Sequence, residues 1–375
     1  MSDRIARQIA FLTEADRLKS VDRANALMDL SRPENSAEHS WHVALQAMVF
    51  GASDRAIRML LVHDLVEIDV GDQPIHLEHD AGALAAAEAR AAARIFGLSP
   101  DGDALAALWH DFEGGQSADA AMAKRMDHSQ PLFQVLLAPR PLADHVAVVQ
   151  GNLDTGRAAR LETEWPEAMA WAGAILAGEV VPTDDLTRRL RFLAEVDALK
   201  SVIRANRLID GSRPENSAEH SWHLALYALV LADAAAPGVD VDRVIRMMLI
   251  HDLVEIDVGD VPLHSDAGQA HGSAETRAAE AAAARRIFGL LPDGQAAEFL
   301  ALWQEFEAAA SPDAIFAKAL DRCQPVVQNL RSGGIGWIDY GVTFRDIEIR
   351  AGARIAAGAA PVWHWLRGEV QAFLD

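Results

Sequence analysis

The chain is short of cysteine and of positive charge. Its one cysteine in 375 residues, Cys323, excludes a disulfide framework within the chain and leads us to expect a reducing, cytoplasmic setting. Lysine and arginine total 34 against 55 acidic residues, a formal net charge of -21. That balance disfavours non-specific binding to nucleic acid or to an anionic membrane surface. A small phosphorylated substrate stays open, because a bound metal can supply local positive charge. No uncharged stretch approaches the roughly 20 apolar residues of a membrane span. The first residues mix Ile5, Ile9, Phe11 and Leu12 with charges and lack the continuous apolar core of a signal peptide. Alternating β-branched segments bounded by hairpin turns are scarce as well, which argues against an all-β fold.

What is present is repetition. From Leu18 the chain reads LKSVDRANALMDLSRPENSAEHSWHVAL, and from Leu199 it reads LKSVIRANRLIDGSRPENSAEHSWHLAL. RMLLVHDLVEIDVGDQPIH from Arg58 returns as RMMLIHDLVEIDVGDVPLH from Arg246, and LWHDFE around Trp109 returns as LWQEFE around Trp303. The period is far too long for a solenoid and marks two whole domains. The offset between copies grows along the chain, with extra residues at 233–242 and near 295–298, both expected as loops. A proline and polar break at Val181-Pro182-Thr183-Asp184 places the boundary, giving domains 1–180 and 181–375. Half of all residues are hydrophobic, enough for a sizeable core in each.

Alanine, leucine, arginine and glutamate fill long stretches such as 81–96 and 274–288, as helices require. Ser36 and Ser217, each followed by an acidic residue, read as helix starts. Gly71 and Gly259 read as C-terminal caps, and Gly97 and Gly289 as caps of the same kind. Each domain is therefore expected to be all-α, a bundle of roughly six helices.

The polar residues inside the matched blocks carry the chemistry. His63 and Asp64 are adjacent after an apolar helical run, so both side chains can reach one ion lying between their directions. Glu67 follows on the same face. His39 lies on the preceding helix and Asp127 on a later one. The second copy supplies His220, His251, Asp252, Glu255 and Asp321 in matching contexts. Imidazole with carboxylate suits a borderline divalent metal. A single His-Asp pair means little, but the same ordered set occurring twice argues for function.

The set His39, His63-Asp64 and Asp127 resembles the metal ligands of the HD-domain superfamily of phosphohydrolases. The strings SAEHSWHVAL and LLVHDLVEIDVGD are similar to its 5′-deoxynucleotidase-like branch. The resemblance implies two tandem HD-type helical bundles forming a pseudo-dimer, with monomer as one possible overall state. It implies one divalent ion (Mn, Co, Fe, Zn or Mg) per domain, held by His39, His63, Asp64 and Asp127 and by His220, His251, Asp252 and Asp321. It makes Glu67 and Glu255 the acid/base groups and Asp72 and Asp260 substrate contacts in the active site. Arg23 and Arg204 become phosphate clamps, with Arg32 and Arg213 as second choices. The implied reaction is phosphate release from a small phosphomonoester, foremost a nucleoside 5′-monophosphate. The branch often places an aromatic residue beside the arginine; Ala24-Asn25 and Ala205-Asn206 stand here, leaving deoxyribose selection open. A di-iron HD-type oxygenase and a non-catalytic regulatory protein are the alternatives.

Other side chains are expected to be structural. His42 and His223 are assigned to packing or hydrogen bonding. His76 and His264 divide between pocket mouth and structure. His79, His110, His128 and His271, unmatched between copies, are placed on the surface. The Trp109/Trp303 and Phe112/Phe306 pairs are read as core. The copies diverge after their last aspartate; both are expected to be active, and if one half is specialised or weakened it is expected to be the first.

Overall fold

The computed structural model describes residues 2–73, 80–260 and 273–375. The first half runs through α1 (Ser2–Ala15), a 3-10 turn (Asp16–Ser20), β1 (Asp22–Ala26), β2 (Pro33–Asn35), α2 (Ser36–Val49), α3 (Asp54–Val62), α4 (Glu67–Val70), α5 (Ala81–Phe96), α6 (Gly102–Gly114) and α7 (Ala118–Leu137). It ends in α8 (Ala143–Thr155), α9 (Leu161–Glu164) and α10 (Pro166–Leu176). The second half repeats the order: α11 (Asp185–Val196), a 3-10 turn (Asp197–Ser201), β3 (Ile203–Arg207), β4 (Pro214–Asn216), α12 (Ser217–Val230), α13 (Val241–Ile250), α14 (Glu255–Val258), α15 (Ala274–Phe288), α16 (Asp293–Ala308) and α17 (Pro312–Arg331). It closes with α18 (Ile335–Asp339), α19 (Phe344–Ile347) and α20 (Ala353–Leu374). Among the described residues six long helices recur in both halves, so the fold is all-α and tandem; the segments after α7 and α17 differ.

Two short antiparallel ribbons, β1-β2 and β3-β4, interrupt the helices. Asp22 faces Asn35 and Ala26 faces Pro33, with an irregularity between. Asp-Arg-Ala-Asn-Ala has no alternating apolar pattern, so the ribbon is imposed by its surroundings rather than by propensity.

Helix α2 starts at Ser36, as expected, and Asn35 caps it. The Asn35 side chain accepts from the Ala37 and Glu38 amides, and Glu38 accepts in return from the Asn35 amide, a capping box. That frees Ser36 for the site. Gly71 and Gly259 do close their helices at positive φ, 75° and 76°. Gly97 and Gly289 also end their helices, as expected, but with φ values of -60° and -63°. There a Cβ would come within 2.7 Å of a carbonyl of the preceding turn, so close approach demands glycine. The insertion near 295–298 is not a loop. It lengthens α16 to 16 residues against 13 in α6.

Several contacts between the halves come in reciprocal pairs. Trp41 Nε1 donates to the Leu249 carbonyl at 3.0 Å, and Trp222 Nε1 to the Leu61 carbonyl at 3.1 Å. Asn35 Nδ2 donates to Glu219 and Asn216 Nδ2 to Glu38, both at 2.6 Å. Arg58 pairs with Asp242, and Arg246 with Asp54. Every residue of α2 except Met48, and of α12 except Leu229, is buried. A helix buried all round needs neighbours on every face, and here each of the two is a neighbour of the other.

Candidate metal centres

In the first half α2 carries His39, the end of α3 carries His63, the turn after it carries Asp64, and α7 carries Asp127. His39 Nε2 lies 3.0 Å from Asp127 Oδ1 and 4.0 Å from Asp64 Oδ2. His63 Nε2 lies 3.2 Å from Asp64 Oδ1 and 3.6 Å from Asp127 Oδ1. The four expected ligands are thus brought together. The second set also converges: His251 Nε2 is 3.1 Å from Asp252 Oδ1, and His220 Nε2 is 3.9 Å from Asp252 Oδ2 and 3.5 Å from Asp321 Oδ1.

The donor chemistry suits a cation. His63 Nδ1 donates to the Leu60 carbonyl at 2.9 Å, and His251 Nδ1 to Met248 at 2.9 Å. That tautomer turns an Nε2 lone pair toward the carboxylates. Nε2 of His63, His220 and His251 is buried with no hydrogen-bond partner. A buried polar atom without a partner carries a desolvation cost, which metal ligation removes. Burial and Arg23 push the pKa of His39 down, but Asp127 and Glu34 outweigh them and raise it to about 9. His220 is raised to about 9 in the same way by Asp321 and Glu215. The carboxylates therefore call for positive charge at these points, and a divalent ion answers that with deprotonated ligands.

Arg23 projects from β1 into the same space. Its Nη1 is 3.0 Å from Asp64 Oδ2, 3.4 Å from Glu67 Oε1 and 3.4 Å from Asp72 Oδ1. Arg204 makes the corresponding contacts with Asp252, Glu255 and Asp260. Glu67, on α4, accepts a 2.5 Å bond from Ser36 Oγ, and Glu255 accepts one from Ser217 Oγ. Burial and the neighbouring Asp64 push the Glu67 carboxyl up to about 8 against the pull of Arg23. Glu255 is shifted in the same direction by the same kinds of cause. A cavity of about 590 Å³ opens onto Arg23, His63, Asp64, Glu67, Asp72 and Asp127. Its far wall is α8, through His145, Val148 and Asn152, a helix of the divergent segment.

Several expectations change. His128 lines the cavity rather than the surface, because α7 carries it beside Asp127; His110 is exposed as expected. His76, His79, His264 and His271 lie outside the described residues. His42 is hydrogen-bonded, its Nε2 donating to the Leu193 carbonyl at 3.1 Å, and His223 donates to Leu12. Arg32 and Arg213 are engaged with Glu38 and Glu219, and Arg32 is not among the residues that line the cavity. Trp109, Trp303, Phe112 and Phe306 are buried, and the two phenylalanine rings stand edge-on to His63 and His251 at 5.1 Å. Beside the last aspartate the halves differ: Arg322 Nη1 sits 3.4 Å from Asp321 Oδ2 in the second, where the first has His128 next to Asp127. Sequence reasoning missed Ser36, Glu34 and Lys200 around the first centre, although all three recur in the matched blocks.

Residues 15–169 and 196–363 each match the HD domain family. The human 5′-deoxynucleotidase HDDC2 is 33% identical over 140 residues, covering 37% of this chain and 65% of the human protein. The 5′-deoxynucleotidase hdd1 of Schizosaccharomyces pombe is 26% identical over 138 residues, covering 36% of this chain and 68% of its own. The chain thus spans about two thirds of the length of these curated relatives. A solved structure of a predicted metal-dependent phosphohydrolase from Magnetospirillum magnetotacticum MS-1 is 44% identical, covers 50% of this chain and 92% of its own, and has a TM-score of 0.47.

Proposed function

The chain belongs to the HD-domain family, and from that premise we propose that it is a metal-dependent phosphohydrolase with one catalytic centre in each half. The substrate is a small phosphomonoester, foremost a nucleoside 5′-monophosphate, in keeping with the names of its curated relatives. The observation that carries the reading is the convergence of unpartnered imidazole nitrogens and carboxylates on a cavity that also presents Arg23 and Glu67.

His39, His63, Asp64 and Asp127 hold a divalent ion in the first half, and His220, His251, Asp252 and Asp321 hold one in the second. When bound, such an ion supplies Lewis-acid polarisation of a phosphoryl oxygen and lowers the pKa of water. Arg23 brings a planar fork of donors to the phosphate and exchanges its contacts with Asp64 and Glu67 for phosphoryl oxygens. Glu67, fixed by Ser36, is raised to about 8 and can return a proton to the leaving alcohol oxygen or, once ionised, take one from water. Asp72, 3.4 Å from the Ala24 amide, stands at the rim where the rest of the substrate enters. Ala24 and Asn25 line the cavity in place of a bulky ring, so the sugar is held loosely.

The reciprocal contacts between α2 and α12 support an intramolecular pseudo-dimer of domains 1–180 and 181–375. Two further acidic and histidine clusters, Glu34/His42/Asp197 and Asp16/Glu215/His223, do not favour a dinuclear oxygenase, since Lys200 and Lys19 fill them.

The test is phosphate release by purified protein from nucleoside monophosphates and other phosphate esters with Mn, Co, Mg, Fe and Zn. Release that depends on added metal is expected. No release from any monoester with any metal overturns the reading.

A further inference from the structure

Two lysines are buried completely at the junction between the halves. Lys200 belongs to the second half, yet its Nζ donates to Glu34 Oε1 of the first at 2.6 Å. It also pairs with Asp197 and donates to His42 Nδ1 at 3.1 Å and Gln134 Oε1 at 3.2 Å. The other Glu34 oxygen, Oε2, has no hydrogen-bond partner and lies 3.6 Å from Nδ1 of His39. Lys19, in the first half, repeats the arrangement. Its Nζ is 2.7 Å from Glu215 Oε1 and 2.9 Å from His223 Nδ1, and it pairs with Asp16. Glu215 Oε2 is 3.4 Å from Nδ1 of His220.

We propose that each half supplies the lysine that positions the metal-binding histidine of the other: Lys200 acts through Glu34 on His39, and Lys19 through Glu215 on His220. The inference rests on the metal centres proposed above. An imidazole that ligates through Nε2 needs an acceptor at Nδ1 to fix its ring and tautomer, and a carboxylate also strengthens its donor power. Gln130 Oε1 meets His39 Nδ1 at 3.1 Å, and Glu34 Oε2, at 3.6 Å, sets a carboxylate charge beside the same nitrogen. A carboxylate sealed from water keeps one orientation only if its other oxygen is held, and the lysine from the opposite half is the cation that holds it. Replacing such a buried ion cluster with apolar side chains would commonly cost little stability, so its presence on both paths to a ligand histidine is better explained by the centres than by the fold. Each half is then incomplete as a metal centre without the other.

The position-matched lysines allow a crossed test in the full chain, read by Co(II) binding in the absence of substrate. His251→Ala/Asp252→Ala leaves the first centre alone. In that background Lys200→Met is expected to weaken Co(II) binding about tenfold or more, the range for losing an outer hydrogen-bonding partner, while Lys19→Met changes it less than about twofold. In His63→Ala/Asp64→Ala, which leaves the second centre, the two lysine variants exchange roles. General loss of folding would strike both centres alike, so the crossing separates positioning from stability. Where Lys200→Met does not fold, Lys200→Met/Asp197→Asn keeps the net charge of the cluster and should show the same selective weakening. Equal effects of both lysines, no effect of either, or an effect on the lysine's own half overturns this inference alone. An unaltered chain that binds no Co(II) overturns the metal centres and this inference with them.

Discussion

Ser36 Oγ donates a 2.5 Å hydrogen bond to Glu67 Oε2, joining the first turn of α2 to α4 across the site. The bond fixes Glu67 beside the proposed ligands. With the second centre disabled by His251→Ala/Asp252→Ala, Glu67→Gln should lower kcat by about a hundredfold or more, the usual contribution of an acid/base group. Metal content should not change. Ser36→Ala should show a smaller loss in kcat. If Glu67→Gln strips the metal instead, Glu67 is a ligand.

Arg23 makes its three ion-pair contacts with acidic groups that surround the cavity. In the same single-centre background Arg23→Ala should raise KM for a monophosphate about ten- to a hundredfold, as loss of a charged hydrogen bond predicts. Michaelis kinetics at saturating metal check this. An unchanged KM removes Arg23 from phosphate binding.

The nearly complete burial of α2 and α12 depends on both halves. Residues 1–180 produced alone should therefore self-associate or precipitate, since the uncovered face of α2 includes Trp41 and the Trp41 indole loses its acceptor at Leu249. Sedimentation checks this. A well-folded monomer of 1–180 contradicts the pseudo-dimer.

Burial lowers the pKa of Lys200, but Asp197 and Glu34 outweigh it, so the net shift is upward from 10.5; Lys19 is raised likewise by Asp16 and Glu215. A folded pKa above the unfolded one contributes stability that is fully present below 10.5 and lost as pH rises through the folded value. Circular dichroism should show an intact fold to about pH 10 and cooperative unfolding only above the ordinary lysine range. Loss of the fold between about pH 8 and 9 contradicts the paired state of these lysines.

The helices and the residues of the proposed ligand sets were legible because the duplication supplied its own comparison: the matched blocks keep His39, His63-Asp64, Glu67 and Asp127 in order while neighbouring apolar residues vary. The β1-β2 ribbon was not, since its residues carry no alternating apolar pattern. The α2 cap was within reach, because Asn35 followed three residues later by Glu38 is itself a capping signal. His128 was misplaced because its lack of a counterpart said nothing about which face of α7 it occupies. The pairing of Lys200 with Glu34 spans 166 residues, and no local periodicity encodes which half touches which.

The most direct test of two independent centres is the rate of metal-dependent phosphate release from a nucleoside 5′-monophosphate, measured for His63→Ala/Asp64→Ala, for His251→Ala/Asp252→Ala and for the two combined. Each double variant should retain turnover and the combination should have none. Complete loss in either double variant alone, or turnover that survives all four substitutions, contradicts the account.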